Sequence, residues 1–259
     1  MTIFLGLLAG VISGLLGLGG GIIIVPGLLT IFHWQNVSSE HLMHIATATS
    51  LGSISITTPM IVWLHNQRQQ VQWSLLRYLI PGTILGALLG VWSSEFLSTT
   101  LLRRFFALFC LGLCLNILLK SNFLSFSHSS LKSVWLSFSF SVLIGVLSGL
   151  LGIGGGILLV PLLMWMGLTM PQISSTSLAC IFPLALSGAI TAMFVGWHVP
   201  DLPSYTLGFV HWPSALMLGI SSLFGAPLGV YLSNQLPISR VKQIFAVILL
   251  VVSVRLLLF

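Results

Sequence analysis

Two stretches decide how this chain is read: residues 8–28, LAGVISGLLGLGGGIIIVPGL, and residues 143–163, LIGVLSGLLGIGGGILLVPLL. Gly10, Ser13, Gly14, Gly17, Gly19, Gly20, Gly21 and Pro26 recur as Gly145, Ser148, Gly149, Gly152, Gly154, Gly155, Gly156 and Pro161, at a constant offset of 135 (143 minus 8). So many matches in fixed register imply an internal duplication. It extends further along the chain. Thr49-Ser50-Leu51 returns as Thr176-Ser177-Leu178, and the Gly86 to Gly90 block is matched by Gly225 to Gly229, each followed by a basic turn (Arg103 and Arg104; Arg240 and Lys242).

With 259 residues, 56% hydrophobic and 5% charged, and a mean hydropathy of +1.11, the chain has too little polar side chain to coat a soluble globule. It reads as an integral membrane protein. The net charge of +6 would suggest nucleic acid in a soluble protein; here the basic residues lie between apolar segments, which points to orientation and lipid headgroups. No basic n-region precedes the first apolar segment, so that segment is expected to be retained. Cys110, Cys114 and Cys180 lie within apolar runs and form no CxxC, the pattern of buried thiols.

Apolar runs fall at about 3–32, 42–64, 74–93 and 101–119, then at 134–168, 176–197, 208–232 and 240–258. The expected organisation is a first transmembrane repeat over 1–119, a Ser-rich linker over 120–132 and a second repeat over 133–259, together one all-α transmembrane domain. Tryptophans 34, 63, 73, 92, 135, 165, 197 and 212 stand at or near run ends, as an interfacial belt does. The runs 3–32 and 134–168 are too long for one crossing at about 1.5 Å per residue. Glycine costs about 1 kcal/mol in a helix interior, so each run should break at its glycines into two shorter helices, re-entrant or spanning as a hairpin. If each long run crosses an even number of times, the second half is inverted. Arg68, Arg77, Lys120, Lys132, Arg240 and Lys242 then share one face against Arg103 and Arg104. The positive-inside tendency favours that arrangement, with both termini outside.

A backbone broken within hydrocarbon must be covered by protein or line a watery cavity, and the helix that restarts after each break offers N–H donors and a positive dipole end to an anion. Paired breaks in two halves therefore point to a transport site. The candidate substrate-binding residues are Gly17, Gly19, Gly20, Gly21 and Pro26 with Gly152, Gly154, Gly155, Gly156 and Pro161, together with the hydroxyls of Thr49, Ser50, Thr176 and Ser177. Those hydroxyls could instead bond their own i−4 carbonyls. Gly6, Gly10 and Gly14, and Gly82, Gly86 and Gly90, have the small-xxx-small spacing of helix packing. GLGGG lacks the Lys-Ser/Thr ending of a nucleotide loop. The histidines read as interface residues, with His44 the candidate proton relay. His33, His41 and His44 with Glu40 make a poor metal set, so neither metal nor cofactor is expected. Glu40, Glu95 and Asp201 are the only acidic residues and sit at run ends or in loops, which leaves no membrane-embedded carboxylate for a coupling ion. Anion export down an inside-negative potential needs none, since the field contributes about 2.3 kcal/mol per charge per 100 mV. An intramembrane serine protease would need Ser13 or Ser50 beside a histidine at the same depth, and no histidine lies mid-run, so an enzyme is not expected.

The paired GLGGGxxxVPxL and GIGGGxxxVPxL stretches, each followed by Thr-Ser-Leu, resemble the TauE/SafE sulfite exporter family of bacterial inner-membrane proteins. Gln70-Val71-Gln72-Trp73 is similar to that family's Gly-x-Val-Asp-Trp segment. Residues 208–213, GFVHWP, are similar to its Gly-Tyr-Val-Asn-x-Pro segment, with His211 in place of Asn. The resemblance covers essentially the whole chain. It implies a permease for sulfite or organosulfonates in the inner (cell) membrane, exporting them, with import as the alternative. The implied partners are a small anionic substrate and the lipid bilayer, with no nucleic acid; a homo-oligomer is compatible with it.

Overall fold

The computed structural model describes residues 1–17, 19–35, 37, 40–66, 71–118, 134–200, 202–233, 235 and 238–258. The linker 120–132, with Lys120, His128 and Lys132, lies outside the described residues, as do Arg68, Gln70, Asp201 and the side chains of His65, Arg240 and Lys242. The chain is helical nearly throughout. The first half forms α1 (Thr2–Leu16), α2 (Gly21–Trp34), α3 (Leu42–Asn66), α4 (Trp73–Ser94) and α5 (Thr99–Leu118). The second forms α6 (Val134–Leu151), α7 (Gly156–Trp165), α8 (Met170–Val195), α9 (Trp212–Ser233) and α10 (Ile238–Leu258). A two-residue antiparallel ribbon, β1 (Thr206–Leu207) with β2 (Val210–His211), precedes α9.

Helices α3, α4, α8 and α9 are each long and apolar enough to cross a bilayer. The long opening runs are not single helices. At about 1.5 Å per residue, the 15 residues of α1 and 14 of α2, or the 18 of α6 and 10 of α7, each fall short of a hydrocarbon core of about 30 Å. Each pair folds back on itself. Gly20 lies against Ala9 and Gly27 against Leu5, so α2 returns along α1, while Phe140 early in α6 packs edge-on against Trp165 at the end of α7, 5.7 Å between ring centroids.

Polarity is distributed as lipid requires. Thr49, Ser50, Ser53, Thr57, Thr58, Thr83, Thr176 and Ser177 are buried, whereas Phe105, Leu108, Phe224, Leu228, Val247 and Val251 point outward, Phe224 with 71% of its surface exposed. An outer surface so apolar would associate or aggregate in water. Within hydrocarbon it is the low-energy surface, and with the four long apolar spans it identifies an integral membrane protein. Trp34, Trp63, Trp73, Trp92, Trp135 and Trp197 stand exposed at or near helix ends; Trp165 is the one that packs inward.

Two helix pairs rest on glycine. α1 packs on α9 and α4 packs on α6, and each pair runs parallel: Gly6, Gly10 and Gly14 meet residues 218 to 230 in rising order, as Gly82, Gly86 and Gly90 meet residues 138 to 146. The small-xxx-small stripes are thus packing surfaces. Apolar attraction between helices is weak in lipid, so close backbone approach supplies the contact. A Cβ on Gly86 would overlap the Val142 carbonyl oxygen and stand 2.7 Å from Gly145 Cα, whereas one on Gly112 would meet nothing within 4 Å. Overpacking costs about 1–3 kcal/mol, so Gly86→Leu and Gly10→Leu should lower the melting temperature in detergent by several degrees. Gly112→Leu should leave it within about a degree.

Candidate functional site: two crossed helix breaks

The glycine runs form two turns of the same shape. Gly17 ends α1 in the left-handed conformation (φ 68°) with its N–H on Ser13 O at 2.8 Å, and Gly152 ends α6 likewise (φ 65°) on Ser148 O at 2.8 Å. Gly19 and Gly20 follow at φ 84° and 74°, Gly154 and Gly155 at 83° and 80°. L-residues with a Cβ rarely adopt that region, and glycine enters it freely. The next helix then restarts: Gly20 O accepts from Ile23 and Ile24, and Gly155 O from Leu158 and Leu159. No side chain caps either N-terminus. No described residue accepts from the amides of Gly155, Gly156 and Ile157.

The two turns meet at the centre of the protein. A Cβ on Gly21 would strike the Gly152 carbonyl oxygen and lie 2.8 Å from Ile153 Cα; Ile181 touches both Gly19 and Gly154, and Ile54 touches Gly154. Gly17, Gly19, Gly20, Gly21 and Gly152 to Gly156 are all buried. Pro26 and Pro161 lie within the short helices α2 and α7, each removing one backbone donor from the second turn.

The hydroxyls of the Thr-Ser pairs do not bond back to i−4. They cross between halves. Ser50 on α3 donates to Gly152 O at 2.8 Å, and Ser177 on α8 shares its proton between its own Ser174 O at 3.0 Å and Gly17 O at 3.3 Å, so each half supplies a hydroxyl to a carbonyl that the other half's break has freed. Thr49 Oγ1 accepts the His211 N–H at 3.0 Å and Thr176 Oγ1 accepts the Gln72 N–H at 3.1 Å, again across halves. All four hydroxyls are wholly buried. All fourteen glycine, proline, threonine and serine positions of the two motifs therefore lie on the two breaks and the helices that brace them.

The sequence matches Ser148 to Ser13 but leaves it out of the candidate site. Its hydroxyl is 0% exposed, has no partner among the described residues, and stands 2.7 Å from where a Cβ of Gly155 would be, at the N-terminus of α7. Its recurrence from Ser13 was the available signal. His44, in the first turn of α3, is buried at 3% exposure; its Nε2 bonds Ser94 O at 2.8 Å, tying the start of α3 to the end of α4. Among the described residues no three His, Cys, Asp or Glu side chains are grouped as metal ligands would be.

A cavity of about 280 Å³ opens near the start of α3, walled by the end of α2, the first turn of α3 and the ribbon before α9. His211 lines it. Burial pushes the His211 imidazole below its ordinary pKa, so the ring is neutral at pH 7.

The family described as Sulfite exporter TauE/SafE matches residues 2–256. A probable membrane transporter protein of Haemophilus influenzae is 31% identical over 262 residues, covering 100% of this chain and 97% of that protein. The probable membrane transporter protein YunE of Bacillus subtilis is 26% identical, covering 99% and 96%. The probable membrane transporter protein MJ0441 of Methanocaldococcus jannaschii is 24% identical, covering 100% and 95%. No solved structure matches the chain.

Removing Ser50 or Ser177 strands a buried carbonyl, which costs about 1–3 kcal/mol. Ser50→Ala and Ser177→Ala should each lower thermal stability in detergent by a few degrees. Unchanged melting of both would show that the crossed bonds carry no stability.

Proposed function

The chain belongs to the Sulfite exporter TauE/SafE family of membrane transporters, and from that premise we propose that it is a permease for a small oxyanion, with its transport site at the crossing of the two glycine breaks. The observation that carries this reading is the α7 N-terminus, where uncapped amides at Gly155, Gly156 and Ile157 adjoin the buried, unpartnered Ser148 hydroxyl. Helix N-termini attract anions through free N–H groups and the dipole. A buried hydroxyl without a partner costs about 1–3 kcal/mol, a cost that an anion accepting its proton would remove.

In this reading Gly17, Gly19, Gly20, Gly21, Gly152, Gly154, Gly155 and Gly156 let the backbone reach the substrate, and Pro26 and Pro161 shape the short helices. Thr49, Ser50, Thr176 and Ser177 hold the two breaks in register, and a change of donor from carbonyl to substrate is the step in which they would touch it. The substrate class is sulfite or an organosulfonate, by family, and the direction is export from the cell across a bacterial inner membrane. Import is the second reading.

The two halves are proposed to be inverted repeats. Support comes from the return of α2 along α1 and from the parallel pairs α1 with α9 and α4 with α6, since α1 corresponds to α6 and α4 to α9. With α1–α2 and α6–α7 as hairpins, alternation of the ten described helices would leave both termini on one side.

Purified protein in liposomes should carry radiolabelled sulfite or sulfoacetate. Gly155→Leu should abolish that flux and Ser148→Ala should weaken it about 10-fold, with both variants still inserted. Full flux through Gly155→Leu would refute the site. Tags at the two termini should both label from outside the cell, and an accessible N-terminus with a cytoplasmic C-terminus would refute the inverted arrangement.

A further inference from the structure

We propose that the cavity beside His211 is the outer vestibule of the transport site, on the exit face in the export reading, and that it takes an organic anion with an oxyanion head and a compact apolar body. This rests on the permease reading above. The cavity, about 280 Å³, has two different ends. Gln35 and Ser204 stand exposed at its mouth, while Phe32 and Ile45, 3% and 1% exposed, form its floor, with Leu42 on the wall between. Polar groups at the mouth and aliphatic and aromatic groups below suit an amphipathic ligand, since apolar contact rewards the body and a few donors fix the head.

His211 is set up as one of those donors. Its Nδ1 lies 2.8 Å from Ser214 Oγ and 3.4 Å from the Ser214 backbone N–H. A backbone N–H can only donate, so Nδ1 is the acceptor and the ring proton is on Nε2. No described residue accepts from Nε2. The ring cannot readily turn away: Phe32 packs edge-on at 5.5 Å between centroids, and the His211 backbone N–H is held by Thr49 Oγ1. The Gln35 amide and the Ser204 hydroxyl add donors, and among the described lining residues no side chain is acidic. Tyr205, beside Ser204, has φ 67° and rests edge-on against Trp212. A bulky residue in that region is strained and persists where surroundings hold it, a frequent property of ligand clamps.

The vestibule is coupled in space to the crossed breaks. Ile45 and Ser50 are five residues apart on α3, about 7.5 Å along the axis, and Ser50 donates to Gly152 O. Thr49, between them, holds His211. One helix thus links the cavity floor to the second break. The volume is several times the share of one water, about 30 Å³, so a bare inorganic anion would leave most of the floor unfilled, and a compact organic body would cover it.

The test is calorimetric binding to the whole protein in detergent, with benzenesulfonate and methanesulfonate as probes. Benzenesulfonate should bind at least 10-fold tighter than methanesulfonate. His211→Phe, which keeps the ring against Phe32 and removes both nitrogens, and Gln35→Leu should each weaken benzenesulfonate at least 10-fold. His211→Gln, whose amide reaches the Nε2 position, should restore binding to within about three-fold, an outcome that a purely structural role for the ring would not give. Gly112→Leu, on the outward face of α5, should leave binding unchanged. Equal affinity for the two probes, or binding indifferent to both His211→Phe and Gln35→Leu, would overturn the vestibule while sulfite flux in liposomes upheld the permease. Absence of both binding and flux would overturn the two readings together.

Discussion

The fold depends on what happens to a carbonyl released from a helix in a place without water. Hydrocarbon offers no donor, and an unsatisfied group there costs several kcal/mol. Gly17 and Gly152 each release one, and the donors come from opposite halves: Ser177 for the first, Ser50 for the second. Neither half could close its own break with these bonds. The reciprocal supply explains why α3 and α8, which carry the serines, pack together at the centre, and why α2 and α7 begin there.

Around that centre, glycine serves in two physically different ways. Gly19, Gly20, Gly154 and Gly155 are needed for a left-handed backbone, and any side chain there is strained whatever space exists. Gly86 and Gly145 have ordinary helical geometry and are needed because two backbones touch, with a Cβ on Gly145 coming within 2.8 Å of Gly86 Cα. The first kind makes a turn with uncapped amides. The second locks α4 to α6 and, through Gly10 and Gly225, α1 to α9.

The centre was legible because its chemistry is written locally and twice. Consecutive glycines cannot form a packing stripe, so residues 17–21 and 152–156 declared a break. The eight apolar runs gave α3, α4, α5, α8, α9 and α10 almost directly. The partners of the Thr-Ser hydroxyls were not legible, because Ser50 and Gly152 are 102 residues apart and only the packing of α3 against the second break joins them. The burial of His44 was not legible for a related reason: α4 ends beside the start of α3, and Ser94 O draws the ring inward. The β1–β2 ribbon was hidden inside an apolar run, since Gly208 to His211 read as the start of a helix that in fact begins at Trp212.

That ribbon changes how the second repeat is used. Its matched stretch in the first half ends at Gln72, whose N–H bonds Thr176 as His211 N–H bonds Thr49. The backbone role is therefore shared by both halves, and the side chain at this position is free to differ. In the second half it is an imidazole held by Ser214 and Phe32 at the edge of a cavity. A duplicated frame fixes where the chain must be, through bonds that any residue's N–H can make. It leaves the side chains at the same points open to selection for the ligand. Position 211 is such a point, where the side chain can differ without disturbing the backbone bond to Thr49.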